Sequence, residues 1–288
     1  MRICRFRLGT EDRVGVVVDG VVHDVTPALD SLPSYRYPLP HFDPLIAALP
    51  MLVGKFRAML GNGPSFPLEE LALLAPIANP GKIVAAPVNY RKHLAEAQAD
   101  AAIHFNTQIK QIHEIGVFLK ANSSLIGPSD PVRLAHHDRR NDHEMELALV
   151  IGKEASNVAA ADALSHVAGY CIGLDMTIRG PEERSLRKSA DTFTVMGPWL
   201  VTADELGDPG QLDFDLSVNG ALRQKANTRD LVLSVPTLIE YASRFYTLHP
   251  GDVILTGTPE GVGPVVPGDV MTCGIEGIGR MTVQVIAA

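Results

Sequence analysis

The sequence predicts an α+β protein that is predominantly β, on three observations. Short apolar runs alternate with turn signals from residue 146 onward, a spacing that suits a mainly antiparallel, curled β body. Two β-branched runs within residues 14–25 flank Asp19-Gly20, a favoured hairpin dipeptide. Glycine and proline, at 25 and 21 of 288 residues, exceed average usage slightly and imply many turns.

Taken in order, the chain opens with that hairpin. Prolines and small residues dominate residues 31–41 and 61–67, with a short helix expected over 48–60 between them. These features define a small N-terminal domain at 1–75 and a larger one at 76–288. In the latter, residues 82–88 read as a strand that leads across Asn89-Tyr90 into an Ala-rich helix over 91–102. Further strands are expected at 147–151, 167–176, 199–202, 216–218, 253–256 and 281–286. A later helix at 237–245 repeats Leu238, Ile239, Tyr241, Ala242 and Phe245 at helical spacing.

Composition narrows the function classes. A net charge of −8 supplies no basic field for phosphate backbones, so nucleic acid is not an expected partner. Cys4, Cys171 and Cys273 are far apart and form no Cys-x-x-Cys pair, which argues against a disulfide framework or zinc site. Charges break every apolar run at the start, and no stretch approaches the roughly 20 apolar residues that span a bilayer. A cytoplasmic protein without a membrane partner is expected.

The most informative segment is Asp142-His-Glu-Met-Glu-Leu-Ala-Leu-Val-Ile-Gly152. Glu144 and Glu146, two apart at the mouth of an apolar strand, point to one face. Asp175 lies in a second apolar strand, where packing alone wants no acid and an acid needs a partner. A hard divalent cation held by the three carboxylates, with positions left open for water and substrate, would satisfy them. From spacing alone, a solvated acid pair with a turn-capping aspartate is the better-favoured reading, since acid pairs on strands are common. His136, His137 and His143 also invite a metal reading, but they flank Asp138-Arg-Arg-Asn-Asp142 and are read as a polar loop.

The surrounding motifs decide the matter. Asn89-Tyr90-Arg91-Lys92-His93, Asp142 to Gly152, Leu174-Asp175-Met-Thr-Ile-Arg179, Lys188-Ser-Ala-Asp-Thr-Phe193, Gly197-Pro-Trp199, Asn219-Gly220 and Pro250 to Gly263 follow in the order found in the fumarylacetoacetate hydrolase family. The chain resembles that family from about residue 80 to the end. The resemblance implies a mixed β-roll body with a small N-terminal domain, usually a homodimer, binding Mg²⁺ or Mn²⁺ and sometimes Ca²⁺. It carries over Glu144, Glu146 and Asp175 as metal ligands, and His93, oriented by Glu96, as the water-activating base. Lys188 corresponds to an active-site lysine, and Thr258, with Gly257, to a substrate-binding turn. Lys120 and Arg179 match positions near the pocket, where ion-pair or surface roles are equally open.

The chemistry of these residue types agrees. Residues three apart on a helix are neighbours, so Glu96 can fix the His93 tautomer and raise its basicity. The 256–263 turn offers backbone N–H groups and hydroxyls to a carboxylate or oxyanion. One departure stands out. Glu182 occupies the place of a family glutamine that touches substrate, so a pocket-facing Glu182 would oppose an anionic tail. Residues 94–116 read either as a lid or as an ordinary surface helix and loop.

The expected function is metal-dependent hydrolysis of a C–C bond in a 2,4-dioxo acid, of the acylpyruvase or fumarylacetoacetate hydrolase type, in aromatic or sugar acid catabolism. A metal would polarise the ketone and hold the departing enolate. Decarboxylation or isomerisation of oxaloacetate-like or unsaturated 2-oxo diacids at the same site is the alternative chemistry, and a non-catalytic metal-binding relative the alternative class. The small molecule expected in the site is in each case a 2-oxo acid.

Overall fold

The structure, a computed structural model, describes residues 1–104 and 110–288. Part of the 94–116 stretch therefore lies outside the described residues. A 12-stranded sheet forms the backbone of the molecule; along its main path run Ser65–Pro67, Val21–Asp24, Glu11–Val18, Arg2–Leu8, Thr194–Thr202, Val167–Asp175, Met145–Ile151, Val253–Leu255, Ile83–Ala85 and Phe118–Lys120. Pairing is antiparallel along most of this path, with Val253–Leu255 parallel to Ile83–Ala85. A 5-stranded sheet runs Ala221–Asn227, Asp213–Val218, Val270–Ile275, Gly279–Ala287 and Val132–Leu134. The predominantly β expectation is met by open sheets.

The two central strands are apolar on both faces because both faces are covered. Met145, Leu147, Leu149 and Ile151 enter one core cluster, while Ala148 and Val150 enter the other. This alternation places Glu146, the polar member of its face, at the strand's mouth. Helix Pro44–Met59 covers the second cluster with Ile46, Leu49, Leu52 and Phe56. It starts earlier than the expected 48–60 because the Asp43 side chain accepts from Ile46 N (3.1 Å) and Pro44 suits the first turn. The hairpin turns at Asp19 and Gly20, whose φ of 45° and 78° are those of the favoured two-residue turn. Strand Arg2–Leu8, absent from the sequence reading, buries Cys4 and Phe6 while Arg7 faces solvent.

A small 3-stranded sheet matters most for the site. Asn141–His143 pairs with Thr177–Ile178 on one side and Gly263–Pro264 on the other. It ties together the entry to the Glu144–Glu146 strand, the exit from the Asp175 strand and the end of the 256–263 loop. No helix among the described residues is long and apolar enough to cross a membrane.

Candidate active site

The ladder Met145↔Leu174 sets Glu144 beside Asp175, and Asp175 N donates to Glu144 O at 2.8 Å. Glu144, Glu146 and Asp175 are all buried, and one oxygen from each lies within 4.8 Å of the others. Among the described residues this is the group of potential ligands that converges; the three histidines do not join it. His136 and His137 are exposed, but His143 is buried in the small sheet, contrary to the polar-loop reading. Strand pairing on both sides of His143 drives that burial, and its Nδ1 lies 3.3 Å from Gln224 Oε1.

Cations surround the acids. Lys188 Nζ donates to Glu144 Oε2 (2.6 Å), Asp175 Oδ2 (2.8 Å) and Thr177 Oγ1 (2.7 Å). Lys120, also buried, donates to Asp175 Oδ1 (2.5 Å) and to the carbonyls of Lys188 and Phe193. Arg179 bridges Asp142 and Glu144 at 2.8 Å each. An ammonium has three N–H donors. Both lysines thus have every donor engaged, and Lys120 does not line the cleft. Of the roles left open for Lys120, the structure shows the ion pair, which holds Asp175 from behind. Lys188 and Arg179 line the cleft and bond to carboxylates of the converging trio.

These charges split the two glutamates. Burial opposes ionisation of Glu144, but Lys188, Arg179 and His93 together outweigh it and hold its carboxyl well below the usual range. Burial, then the Asp175 charge, pushes Glu146 well above it, against Lys188 and the Gly257 amide. The three converging carboxylates form an all-oxygen donor set of the kind that suits Mg²⁺ or Mn²⁺. A consequence follows for pH. Glu146 must lose its proton to bind a cation, so Mn²⁺ affinity should rise with pH until the solution passes the Glu146 pKa, with proton uptake by buffer accompanying binding below that point. Titration calorimetry in buffers of different ionisation enthalpy checks this; binding heats independent of buffer across the acid range would count against it. In the cation-free protein the raised pKa has the opposite sense: the stability contributed by protonated Glu146 is full below its unfolded-state pKa and lost as pH rises through the folded-state value.

The expected base stands across the cleft. Helix Arg91–Ala99 places His93 and Glu96 on neighbouring positions, and His93 Nδ1 lies 2.9 Å from Glu96 Oε2. Donation from Nδ1 leaves Nε2 with the free lone pair. Glu96 Oε1 also accepts from Gly261 N at 2.9 Å, so one carboxylate joins the helix to the glycine loop. His93 lines the same cleft as Glu144, Glu146, Asp175, Lys188 and Thr258.

The 256–263 turn behaves differently from expectation. Gly257 N donates to Glu146 Oε2 at 2.6 Å, so this amide is already engaged by the Glu146 carboxylate. At φ 99°, with a Cβ that would come within 2.7 Å of Asn89 Cβ, position 257 requires glycine. The Thr258 hydroxyl donates to Met145 O (2.9 Å) and accepts from Gln224 Nε2 (2.8 Å). Gln224 escaped the sequence reading because it sits between charged Arg223 and Lys225 on a strand with no apolar rhythm; its burial appears only when that strand docks. Glu182 does not face the cleft. Arg139 binds both its oxygens (3.0 and 2.8 Å) at the surface. The cleft instead receives Arg184 and Arg187 from helix Arg184–Lys188. Arg184 and Lys188 are four apart on that helix, a same-face spacing from which Arg184 was readable.

Comparison with known proteins agrees with this architecture. The profile of the fumarylacetoacetate (FAA) hydrolase C-terminal family matches residues 82–286. A maleylpyruvate hydrolase of Aquipseudomonas alcaligenes is 57% identical over 287 residues, covering 99% of both chains. The crystal structure of maleylpyruvate hydrolase from Sphingobium sp. SYK-6 in complex with manganese(II) and pyruvate superposes with a TM-score of 0.84 at 44% identity, covering 100% of both chains. The 5-carboxymethyl-2-hydroxymuconate delta-isomerase of Mycobacterium smegmatis follows with a TM-score of 0.73 at 32% identity, again over 100% of both chains. The chain belongs to the fumarylacetoacetate hydrolase family.

Proposed function

We propose that this protein is a divalent-cation-dependent hydrolase that cleaves a carbon–carbon bond in a 2,4-dioxo acid of the maleylpyruvate type. The observation that carries this reading is the placement of an oriented His93–Glu96 base on the same cleft as the Glu144–Glu146–Asp175 trio. A binding module needs no oriented base. The relatives that cover the whole chain and hydrolyse maleylpyruvate support the substrate type.

Glu144, Glu146 and Asp175 would hold the cation, which when bound supplies positive charge to the carboxylate and ketone oxygens of the 2-oxo acid. His93 Nε2 takes a proton from water while Glu96 stabilises the imidazolium that forms. The resulting hydroxide adds to the C4 carbonyl, the C3–C4 bond breaks, and its electron pair passes into the three-carbon fragment, which is released as pyruvate after protonation. The other product is a carboxylic acid that has gained the water oxygen. Lys188 and Arg179 keep two of the carboxylates in register throughout. The expected homodimer and cytoplasmic setting belong to this same reading; light scattering of the purified protein checks the former.

Mass spectrometry of products formed from a 2,4-dioxo acid in ¹⁸O-water, with Mn²⁺ present, tests the proposal. Hydrolysis places one ¹⁸O in the carboxylic acid fragment. An isomer of unchanged mass, or release of CO₂, would assign the site to the alternative chemistry, and no turnover of any 2-oxo acid would leave a binding protein.

A further inference from the structure

Among the charged side chains of the cleft, Arg184 stands apart. Lys188 has all its donors engaged, Arg179 is bound by two carboxylates, and Arg187 donates to the carbonyls of Glu182 (2.8 Å) and Ile178 (3.2 Å). Arg184 is half-buried and lines the cleft, yet among the described residues no carboxylate, carbonyl or hydroxyl accepts from it. Its guanidinium carbon lies over the Phe118 ring, 5.5 Å from the centroid. Phe118 is buried on the same side of its strand as Lys120, so the platform is rigid. Lys188 Nζ lies over the same ring at 5.7 Å, which sets Arg184 at the rim of the ligand cluster and outside it.

A partly desolvated guanidinium without an acceptor is costly, and five donors in a planar fork match a carboxylate bidentately. Burial holds Arg184 somewhat below its usual pKa, with Glu144, Glu183 and Asp175 opposing, but an arginine stays charged at any working pH. Near it, Arg187 adds a second positive charge that, among the described residues, bonds to carbonyls and to no carboxylate, so the rim of the cleft favours an anion. The acid end of a 2-oxo acid belongs at the ligand trio. Any anion at Arg184 is therefore a different group on the same molecule.

We propose that Arg184 binds the second carboxylate of a dicarboxylic substrate, at the end away from the 2-oxo acid group, and thereby selects diacids over monoacids. This assignment rests on the 2-oxo acid reading above. It gives the selecting role to Arg184 in place of Glu182, which is turned to Arg139.

The test uses the Mn²⁺-loaded full chain with Arg184→Met and Arg184→Lys. For a 2,4-dioxo diacid, Arg184→Met should lower kcat/KM by about 10²–10³-fold, mainly through KM, the scale expected for loss of a buried charge partner. A matched monoacid, with methyl in place of the far carboxylate, should change by less than about threefold, and Arg184→Lys should recover part of the diacid rate. An unchanged diacid-to-monoacid ratio in Arg184→Met overturns the assignment. Calorimetric binding of succinate and butyrate provides an arm independent of turnover. Wild type should prefer succinate and Arg184→Met should not; equal preference in the two proteins, or none in wild type, also overturns it. Failure of wild type to cleave any 2,4-dioxo acid would instead refute the hydrolase reading, with the succinate arm still deciding Arg184.

Discussion

Replacing His93 with alanine is expected to lower kcat by about 10²–10⁴-fold, the usual worth of a positioned general base, while Mn²⁺ affinity stays within a small factor of wild type. The imidazole bonds to Glu96 and to none of Glu144, Glu146 and Asp175, so its removal leaves the cation ligands in place. Glu96→Gln should fall in the same direction by less, since glutamine can still accept from Nδ1 but cannot balance an imidazolium. The pH–rate profile separates a base from a structural histidine. An acid limb in the wild-type profile that is absent from the profile of His93→Ala would mark the base. Turnover equal to wild type in His93→Ala would remove it from the mechanism.

Glu146→Ala should have the larger effect on the cation itself. Glu146 contributes one of three converging carboxylates and is held in place by the Gly257 amide at 2.6 Å. Loss of an outer-shell partner typically costs about 10–100-fold in metal affinity, and loss of a ligand should exceed about 10²-fold. Activity at ordinary Mn²⁺ concentrations should vanish with it and return only in part at high Mn²⁺. Electron paramagnetic titration of free Mn²⁺ measures the affinity directly. An unchanged titration curve would show that the trio is not the cation site. Lys120→Met makes an informative companion: it removes charge from behind Asp175 without touching the cleft, so any loss there reports carboxylate positioning.

The parts of this molecule that could be read beforehand are those whose signal is local. Two glutamates at the mouth of an apolar strand, an aspartate inside another, and a histidine three residues before a glutamate each announce themselves within a few positions, and the structure brings all of them to one cleft. The Asp19-Gly20 hairpin was readable for the same reason. What escaped depends on contacts between distant segments. Gln224 reaches Thr258 only because the Ala221–Asn227 strand docks beside the glycine loop. Gly257 was read as a donor to substrate, because nothing in its neighbours reveals that Glu146, far away in sequence, takes that hydrogen bond first. Glu182 was placed by counting along a motif, which cannot show that Arg139, distant in sequence, takes both its oxygens. Arg2–Leu8 was passed over because its arginines interrupt every apolar run, which is what a strand with one wet face does.

The small sheet at the mouth of the two central strands has an implication for how such a site can diverge. The three converging acids sit on segments that are buried on both faces and laddered on both edges, where a substitution disturbs packing and typically costs about 2–5 kcal/mol. The short helix carrying Arg184 is anchored through backbone carbonyls that Arg187 grips, and its exposed positions, Leu186 among them, can change for a few tenths of a kcal/mol. If Arg184 reads the far end of the substrate as proposed, inheritance can hold the chemistry constant while that end is renegotiated on this helix, by altering little more than the residue facing Phe118.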